Sequence, residues 1–204
     1  LTLFAQLSGG EYELVNNWNF WVFPKSGPVR TSAAADSAVL AKIGARYQDL
    51  LPLQSSKQTG LRIVSQINKD TLDFLDRGGR VFLIGHGPFP ALPLSFQLAL
   101  AGRVEGNLAT VINDHPLMRR FPHDGYCDWQ FYSMMEFQGA SAVNFKDLDI
   151  PFDPIIEVVS SFKLILKQAA LFELKVGAGG LLVCTLNLDP GDPGAAYLLD
   201  NILS

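Results

Sequence analysis

The sequence predicts an α/β fold, a three-layer sandwich in which helices flank a mostly parallel central sheet. From Leu51 onward, short apolar runs typical of strands buried on both faces alternate with amphipathic segments typical of helices. Hydrophobic residues make up 48% of the 204-residue chain, which is ample material for a core. The repeats are too few for an eight-unit barrel, so we expect an open sheet.

Residues 1–24 differ in composition from the rest of the chain. The stretch EYELVNNWNFWVFP alternates and is rich in aromatic residues, which is typical of strands on a half-buried sheet. So short a segment cannot form a stable sheet alone. We therefore expect it to be the terminal strands of a preceding β-sandwich, or an arm that packs on the main domain. Residues 25–36 predict a linker, and residues 37–204 the α/β domain.

The elements of this domain follow from local patterns. DSAVLAKIGARYQDL predicts a helix with Asp36 or Ser37 as N-cap, and DPGAAYLLDNILS predicts a closing helix with Pro193 in its first turn. NKDTLDFLDRGG predicts a helix that ends at glycine, and DWQFYSMMEF another. Strands are predicted in LRIVSQ, RVFLIGHG, ATVIN and PIIEVVSSF, and LFELKVGAGGLLVCTLNL predicts a hairpin at an antiparallel edge. This order favours a flavodoxin-like arrangement.

Composition excludes several classes of function. The net charge is −4, and the densest basic spot is the pair Arg119-Arg120, too little for a nucleic-acid surface. No apolar run approaches the ~20 residues that span a bilayer. Cys127 and Cys184 are too few for a disulfide framework, and whether they pair stays open. Because the chain starts at Leu1 without a methionine or a signal-type segment, we expect it to be a piece of a longer polypeptide.

Residues 114–132, DHPLMRRFPHDGYCDWQFY, concentrate groups that could carry chemistry. The spacing of His115, His123 and Cys127 matches no zinc pattern, so we predict no metal site. Asp128 beside Cys127 would raise the thiol pKa, which disfavours a nucleophile. We therefore predict no catalytic residue here. We expect an ordered loop that prolines rigidify, that His and Asp side chains cap, and that Trp129 anchors.

The stretch GGRVFLIGHGPFP lacks a phosphate-binding pattern, so we predict no cofactor. Gly85 and Gly87 would let the chain turn off the strand, and His86 would lie at the carboxyl end of that strand, where open α/β sheets bind ligands. Trp129, Phe131 and Tyr132 could form a sugar-stacking platform, but helical spacing favours packing in the core. The candidate ligand-binding residues are His86, His115, His123, Asp124, Asp128 and Trp129.

Several motifs resemble a domain found near the C-terminus of some large bacterial glycoside hydrolases, family-2-like enzymes of the β-galactosidase kind. NNWNFWVFP is similar to the last strand of the β-sandwich that precedes this domain there. The matching positions are His115-Pro116, Phe121-Pro122, Gly125, Asp128-Trp129-Gln130, Pro154-Ile155 and Phe172-Glu173 through Leu182.

The resemblance implies a class I glutamine-amidotransferase-like or ThuA-like α/β fold. The cysteine of the amidotransferases would fall within LIGHGPFP, where this chain has His86 or Gly87, so their chemistry should be absent. The carboxylates of a parent glycosidase would lie in a separate barrel. Such a parent implies a periplasmic or extracellular setting.

Three hypotheses follow. The first is a non-catalytic accessory domain of a multidomain glycoside hydrolase, packing on the other domains of its parent and contacting oligosaccharide. The second is a small hydrolase in which residues 114–128 meet His86 in one pocket, with or without a metal. The third is a structural module that oligomerises through residues 16–24, whose aromatic groups would otherwise form an exposed apolar patch.

Overall fold

The computed structural model describes residues 1–24, 30–55, 60–94, 107–136, 139–146, 150–160 and 166–204. Within these ranges the protein is a mixed α/β structure with four helices. The helices are α1 Ser37–Ile43, α2 Lys69–Asp76, α3 Tyr132–Glu136 and α4 Pro193–Leu203. None of these described helices has the length and apolar character required to span a bilayer.

In the described part of the chain, ten strands form one sheet and two more form a separate hairpin. The hairpin strands are β1 Thr2–Gly9 and β2 Tyr12–Asn19. The sheet strands are β3 Ala33–Ala35, β4 Leu51–Pro52, β5 Leu61–Val64, β6 Arg80–Ile84, β7 Ala91–Pro93, β8 Asn107–Ile112, β9 Ser141–Asn144, β10 Ile156–Ser160, β11 Lys167–Val176 and β12 Gly179–Cys184.

The sheet is mixed, so the prediction of a mostly parallel sheet is wrong. Its order is β4-β3-β5-β6-β12-β11-β10-β8, with β9 beside β11 and β7 beside β9. The strands from β4 to β12 pair in parallel, and all pairings from β12 onward are antiparallel. The reason is the position of the β11–β12 hairpin, which lies in the middle of the sheet and not at the predicted edge.

The helix starts follow the predicted capping chemistry. Asp36 caps α1, because its carboxylate accepts a hydrogen bond from the Val39 amide at 2.8 Å. Asp192 caps α4 in the same way through the Ala195 amide, and Pro193 occupies the first turn. The predicted linker 25–36 ends differently, since three of its residues form the buried strand β3; residues 25–29 lie outside the described part.

Each face of the sheet contributes to a different apolar cluster. Phe82 of β6 joins the cluster that contains residues of α1 and α4, whereas its neighbours Val81 and Leu83 join the cluster that contains Leu75 of α2. Successive side chains of a strand point to opposite faces, so both faces of the sheet are covered. The buried strands therefore show the continuous apolar runs on which the α/β prediction depended.

A polar network joins the end of α1 to α4 in the core. Asp200 is only 8% exposed, and its carboxylate accepts hydrogen bonds from Arg46 Nη2 at 2.6 Å and from the Tyr47 hydroxyl at 2.6 Å. Burial, and then the hydrogen bond to Asp200, raise the pKa of Tyr47 above its ordinary value. The network satisfies a charge that would otherwise be costly to bury.

We expect Asp200→Asn to lower the free energy of unfolding by roughly 2–4 kcal/mol, because it leaves the Arg46 charge without its counterion in a partly buried setting. Asp153→Asn is the matched control, since Asp153 is 78% exposed and pairs with Lys167 at 3.4 Å. That exposed pair should contribute less than about 1 kcal/mol. Urea denaturation of both variants measures the difference, and equal effects would contradict the role of the network.

Candidate functional site

The loop of residues 114–132 is ordered by its own side chains, as predicted. His115 Nδ1 accepts a hydrogen bond from the Leu117 amide at 3.3 Å, and His123 Nδ1 accepts one from the Gly125 amide at 3.1 Å. Asp128 accepts one from the Trp129 amide at 2.8 Å and begins a 3-10 turn. Three of the candidate residues are therefore occupied with local backbone contacts, which is a structural use of their polar atoms.

His86 lies on a turn that follows β6. Gly85 and Gly87 have φ angles of 112° and 52°, so the predicted use of glycine to turn the chain off the strand is confirmed. The His86 side chain is exposed, and its Nδ1 lies 3.0 Å from the Phe89 carbonyl oxygen.

The structure does not bring His86 and His115 together. His115 Nε2 lies 3.5 Å from Glu173 Oε2, and both residues line one cleft with Gly180. Gly180 pairs with Arg80, the first residue of β6, whereas His86 comes after the last. The five residues of β6 cover roughly 15 Å. The two histidines therefore belong to opposite ends of the sheet.

Neither cysteine is placed to act as a nucleophile. Cys127 is 6% exposed and Cys184 is fully buried, and both are free thiols. Burial raises the pKa of each thiol to about 12. A thiolate is the reactive form, so both groups are inert near neutral pH. Among the described residues, no three His, Cys, Asp or Glu side chains lie close enough to hold a metal ion.

The aromatic residues of the 128–136 segment divide between core and surface. Phe131 is fully buried, as predicted, but Trp129 is 63% exposed and Tyr132 is 43% exposed. The prediction that Trp129 anchors the loop in the core is therefore wrong; Phe137 lies outside the described residues. The cause is the 3-10 turn that begins this segment, since it moves Trp129 off the apolar face of α3.

Trp129 instead borders a cleft of about 370 Å³ between the N-terminal segment and the start of α4. The cleft lining is aromatic on both sides and carries a few polar groups. It consists of Phe20, Trp21, Val22, Phe23, Trp129, Gln130, Ser133, Asp192, Pro193 and Gly194. Asp124, which was also a candidate, is exposed and takes no part in this cleft.

A cluster of rings beneath the cleft fixes the N-terminal segment to the domain. The Phe23 ring lies 5.5 Å from the rings of Phe121 and Tyr197, measured between centroids. Phe121 in turn lies 4.9 Å from Phe131. These are favourable tilted contacts between aromatic rings. The two contacts of Phe23 join residues that are about 100 or more positions apart in the chain, so local sequence patterns do not predict the cleft.

The β1–β2 hairpin has one mainly apolar face and one mixed face. A two-residue turn at Gly10, whose φ is 61°, sets the register. Leu3 lies opposite Trp18 and Leu7 lies opposite Leu14, so these four side chains share a face. The other face carries Phe4 and Val15 beside hydrogen bonds from Thr2 to Asn19 and from Gln6 to Glu13. The pattern is that of a sheet with one buried face.

Every residue of this hairpin is nevertheless exposed. Leu7 and Leu14, in the middle of the apolar face, are 69% and 65% exposed. Both outer edges are also unpaired among the described residues, since the hairpin forms a two-stranded sheet of its own. The hairpin thus presents an apolar face and two open edges.

We expect both thiols to be unreactive in the folded chain at pH 8. With a pKa of about 12, the thiolate fraction is on the order of 10⁻⁴, against about a quarter for an ordinary cysteine. A chromogenic disulfide reagent should therefore report no fast thiol until guanidinium unfolds the chain, when both react. If one thiol of the folded chain reacted rapidly, with a pH dependence of its rate centred near neutral pH, the nucleophile hypothesis would be restored.

Comparison with known proteins gives a family for most of the chain. No curated protein matches the sequence. A family model described as a domain of unknown function, DUF8487, matches residues 62–204. The match begins in β5 and runs through α4, so it includes the 114–132 loop and leaves out the hairpin. It covers well over half of the sequence, and the chain therefore belongs to the DUF8487 family.

Proposed function

We propose that this chain is a non-catalytic accessory domain of a multidomain glycoside hydrolase, which packs on a neighbouring β-sandwich domain of its parent through the β1–β2 hairpin and contacts glycan. The observation that carries the proposal is the exposed apolar face of the hairpin, with Leu7 and Leu14 at its centre.

The physical argument is that a hairpin of this kind requires a partner sheet. An isolated two-stranded hairpin is marginally stable at best in water, and three or more strands with a covered apolar face are needed for independent stability. Open edges also invite pairing with further strands. A β-sandwich would meet both needs of the hairpin. The inner face of the sandwich would cover the apolar side chains, and its edge strand would pair with an open edge of the hairpin.

The finer fold assignment belongs to the same proposal. We assign the domain to the three-layer, flavodoxin-like and class I glutamine-amidotransferase-like group, and the covering of both sheet faces supports this assignment. The missing nucleophile supports a non-catalytic role, since His86 and Gly87 occupy the turn after β6. The identity of the parent as a family-2-like glycoside hydrolase is supported by the sequence motifs of residues 115–182.

The two other hypotheses have less support. A hydrolase that combines His86 with the 114–128 loop requires convergence in one pocket, and His115 lies at the other end of the sheet from His86. Oligomerisation through residues 16–24 would cover the same apolar face with a second copy. We favour the β-sandwich because that face has the alternation of an internal sheet, and the experiment below separates the two.

Leu14→Asp tests the hairpin, with Val15→Asp as its matched control. The two residues are neighbours with nearly equal exposure, 65% and 64%, but they lie on opposite faces of the hairpin. In the chain extended upstream through the preceding domain of its own reading frame, Leu14→Asp should lower the free energy of unfolding of that domain by roughly 2–4 kcal/mol, because it buries a charge. Val15→Asp should cost less than about 1 kcal/mol.

Equal effects of the two substitutions would contradict docking through this face, and so would a reading frame without an upstream domain. A discrete dimer of the 204-residue chain in sedimentation velocity, dissociated by Leu14→Asp and not by Val15→Asp, would instead identify a second copy as the partner.

The role of the parent has its own test. The full polypeptide should hydrolyse a nitrophenyl glycoside, and the 204-residue chain alone should show no turnover above background. His86→Ala should leave the activity of the full polypeptide unchanged within about twofold, because no catalytic group is assigned to this chain. Turnover by the isolated chain that His86→Ala abolishes would favour the hydrolase hypothesis.

A further inference from the structure

We propose that the cleft between residues 20–23 and the start of α4 binds a neutral pyranose unit of an oligosaccharide. The inference deepens the glycan contact of the accessory role by giving it a site. The inference rests on the proposed function only in one respect, namely that the sugar is part of a glycan on which the parent enzyme acts.

The size and the construction of the cleft fit a small ligand. A volume of about 370 Å³ lies within the range of roughly 300–1,000 Å³ that is typical of small-molecule sites. The ring cluster of Phe23, Phe121 and Tyr197 lies beneath it and holds its two sides together. A site that is already formed loses little free energy to ordering when a ligand enters.

The aromatic lining provides stacking surfaces. Trp129 is 63% exposed and Phe20 is 44% exposed, so a large part of each ring is open to a ligand. The face of an aromatic ring is electron-rich and attracts weakly positive C–H groups. One face of a pyranose ring presents several such C–H groups, and its edge carries hydroxyls. An exposed indole beside polar acceptors therefore matches a sugar better than it matches a wholly apolar ligand.

The polar groups of the cleft are acceptors for such hydroxyls. Asp192 uses Oδ1 to cap α4, and its Oδ2 accepts no hydrogen bond from the residues that the structure describes. Ser133 is half-buried and adds a hydroxyl. Gln130 also lines the cleft, but its Oε1 is buried and adds no acceptor that a ligand in the cleft can reach.

The charge of the lining selects against other ligands. Among the described residues that line the cleft, Asp192 alone is charged, and its carboxylate would repel an acidic sugar or a phosphate. A single carboxylate without other strong ligands does not hold a metal ion. A neutral sugar fits these groups, because its hydroxyls donate hydrogen bonds and it brings no charge that must be buried.

The test is titration of the 204-residue chain with neutral cello-, xylo-, manno- and galacto-oligosaccharides of several units each, followed by tryptophan fluorescence and calorimetry. We expect saturable binding of at least one series. Trp129→Ala should weaken it about tenfold or more, because the stacking surface is lost. Asp192→Asn, which keeps a good helix cap, should weaken it about threefold to tenfold.

Trp18→Ala is the matched control, because Trp18 is an exposed tryptophan of the hairpin that does not line the cleft. It should change the affinity by less than about twofold. Circular dichroism and thermal unfolding confirm that each variant keeps its fold.

No saturable binding of any series at millimolar concentration would overturn the proposal, and so would binding that Trp129→Ala leaves intact. These results are separable from those for the hairpin. Leu14→Asp acts on the stability of the preceding domain and should leave sugar binding by the 204-residue chain unchanged. Trp129→Ala should weaken sugar binding by that chain and leave the stability of the preceding domain unchanged.

Discussion

The antiparallel pairing of β11 with β12 in the middle of the sheet is the constraint on which the rest of the structure depends. On one side β12 pairs in parallel with β6, and on the other β11 pairs with β10 and β9. Thr185, just after β12, reinforces this centre by donating its hydroxyl to the carbonyls of Ser141 and Ala170. One hairpin thus joins a parallel half to an antiparallel half.

This arrangement also decides which polar residues can meet. In a fully parallel sheet the loops that follow the strands would gather at one edge, and His86 and the 114–132 loop would lie at that same edge. Here the direction of the chain reverses at the central hairpin. His115 consequently pairs with Glu173 in the cleft at the end of the sheet where β6 begins. His86 lies beyond the other end of β6. The reactive residue types that are close together in the sequence therefore do not meet His86 in one site.

The sequence predicts what local chemistry determines. The caps at Asp36 and Asp192, the hairpin of β11 and β12, and the turn at Gly85 and Gly87 follow from residues within a few positions of one another. The strands β7 and β9, by contrast, have only three and four residues and carry no periodic signal. The cleft beside Trp129 depends on contacts with the N-terminal segment, more than 100 residues away.

The cleft has walls from both sides of the junction between the N-terminal segment and the domain. Phe20 and Trp21 form one wall, and Trp129 and Asp192 form the other. Any molecule that fills the cleft therefore restrains the angle between the hairpin and the domain. Thermodynamic linkage makes such a restraint reciprocal: a neighbour that fixes the hairpin changes the affinity of the cleft by the same factor by which the occupied cleft changes the affinity for the neighbour. The junction would then act as a coupling element.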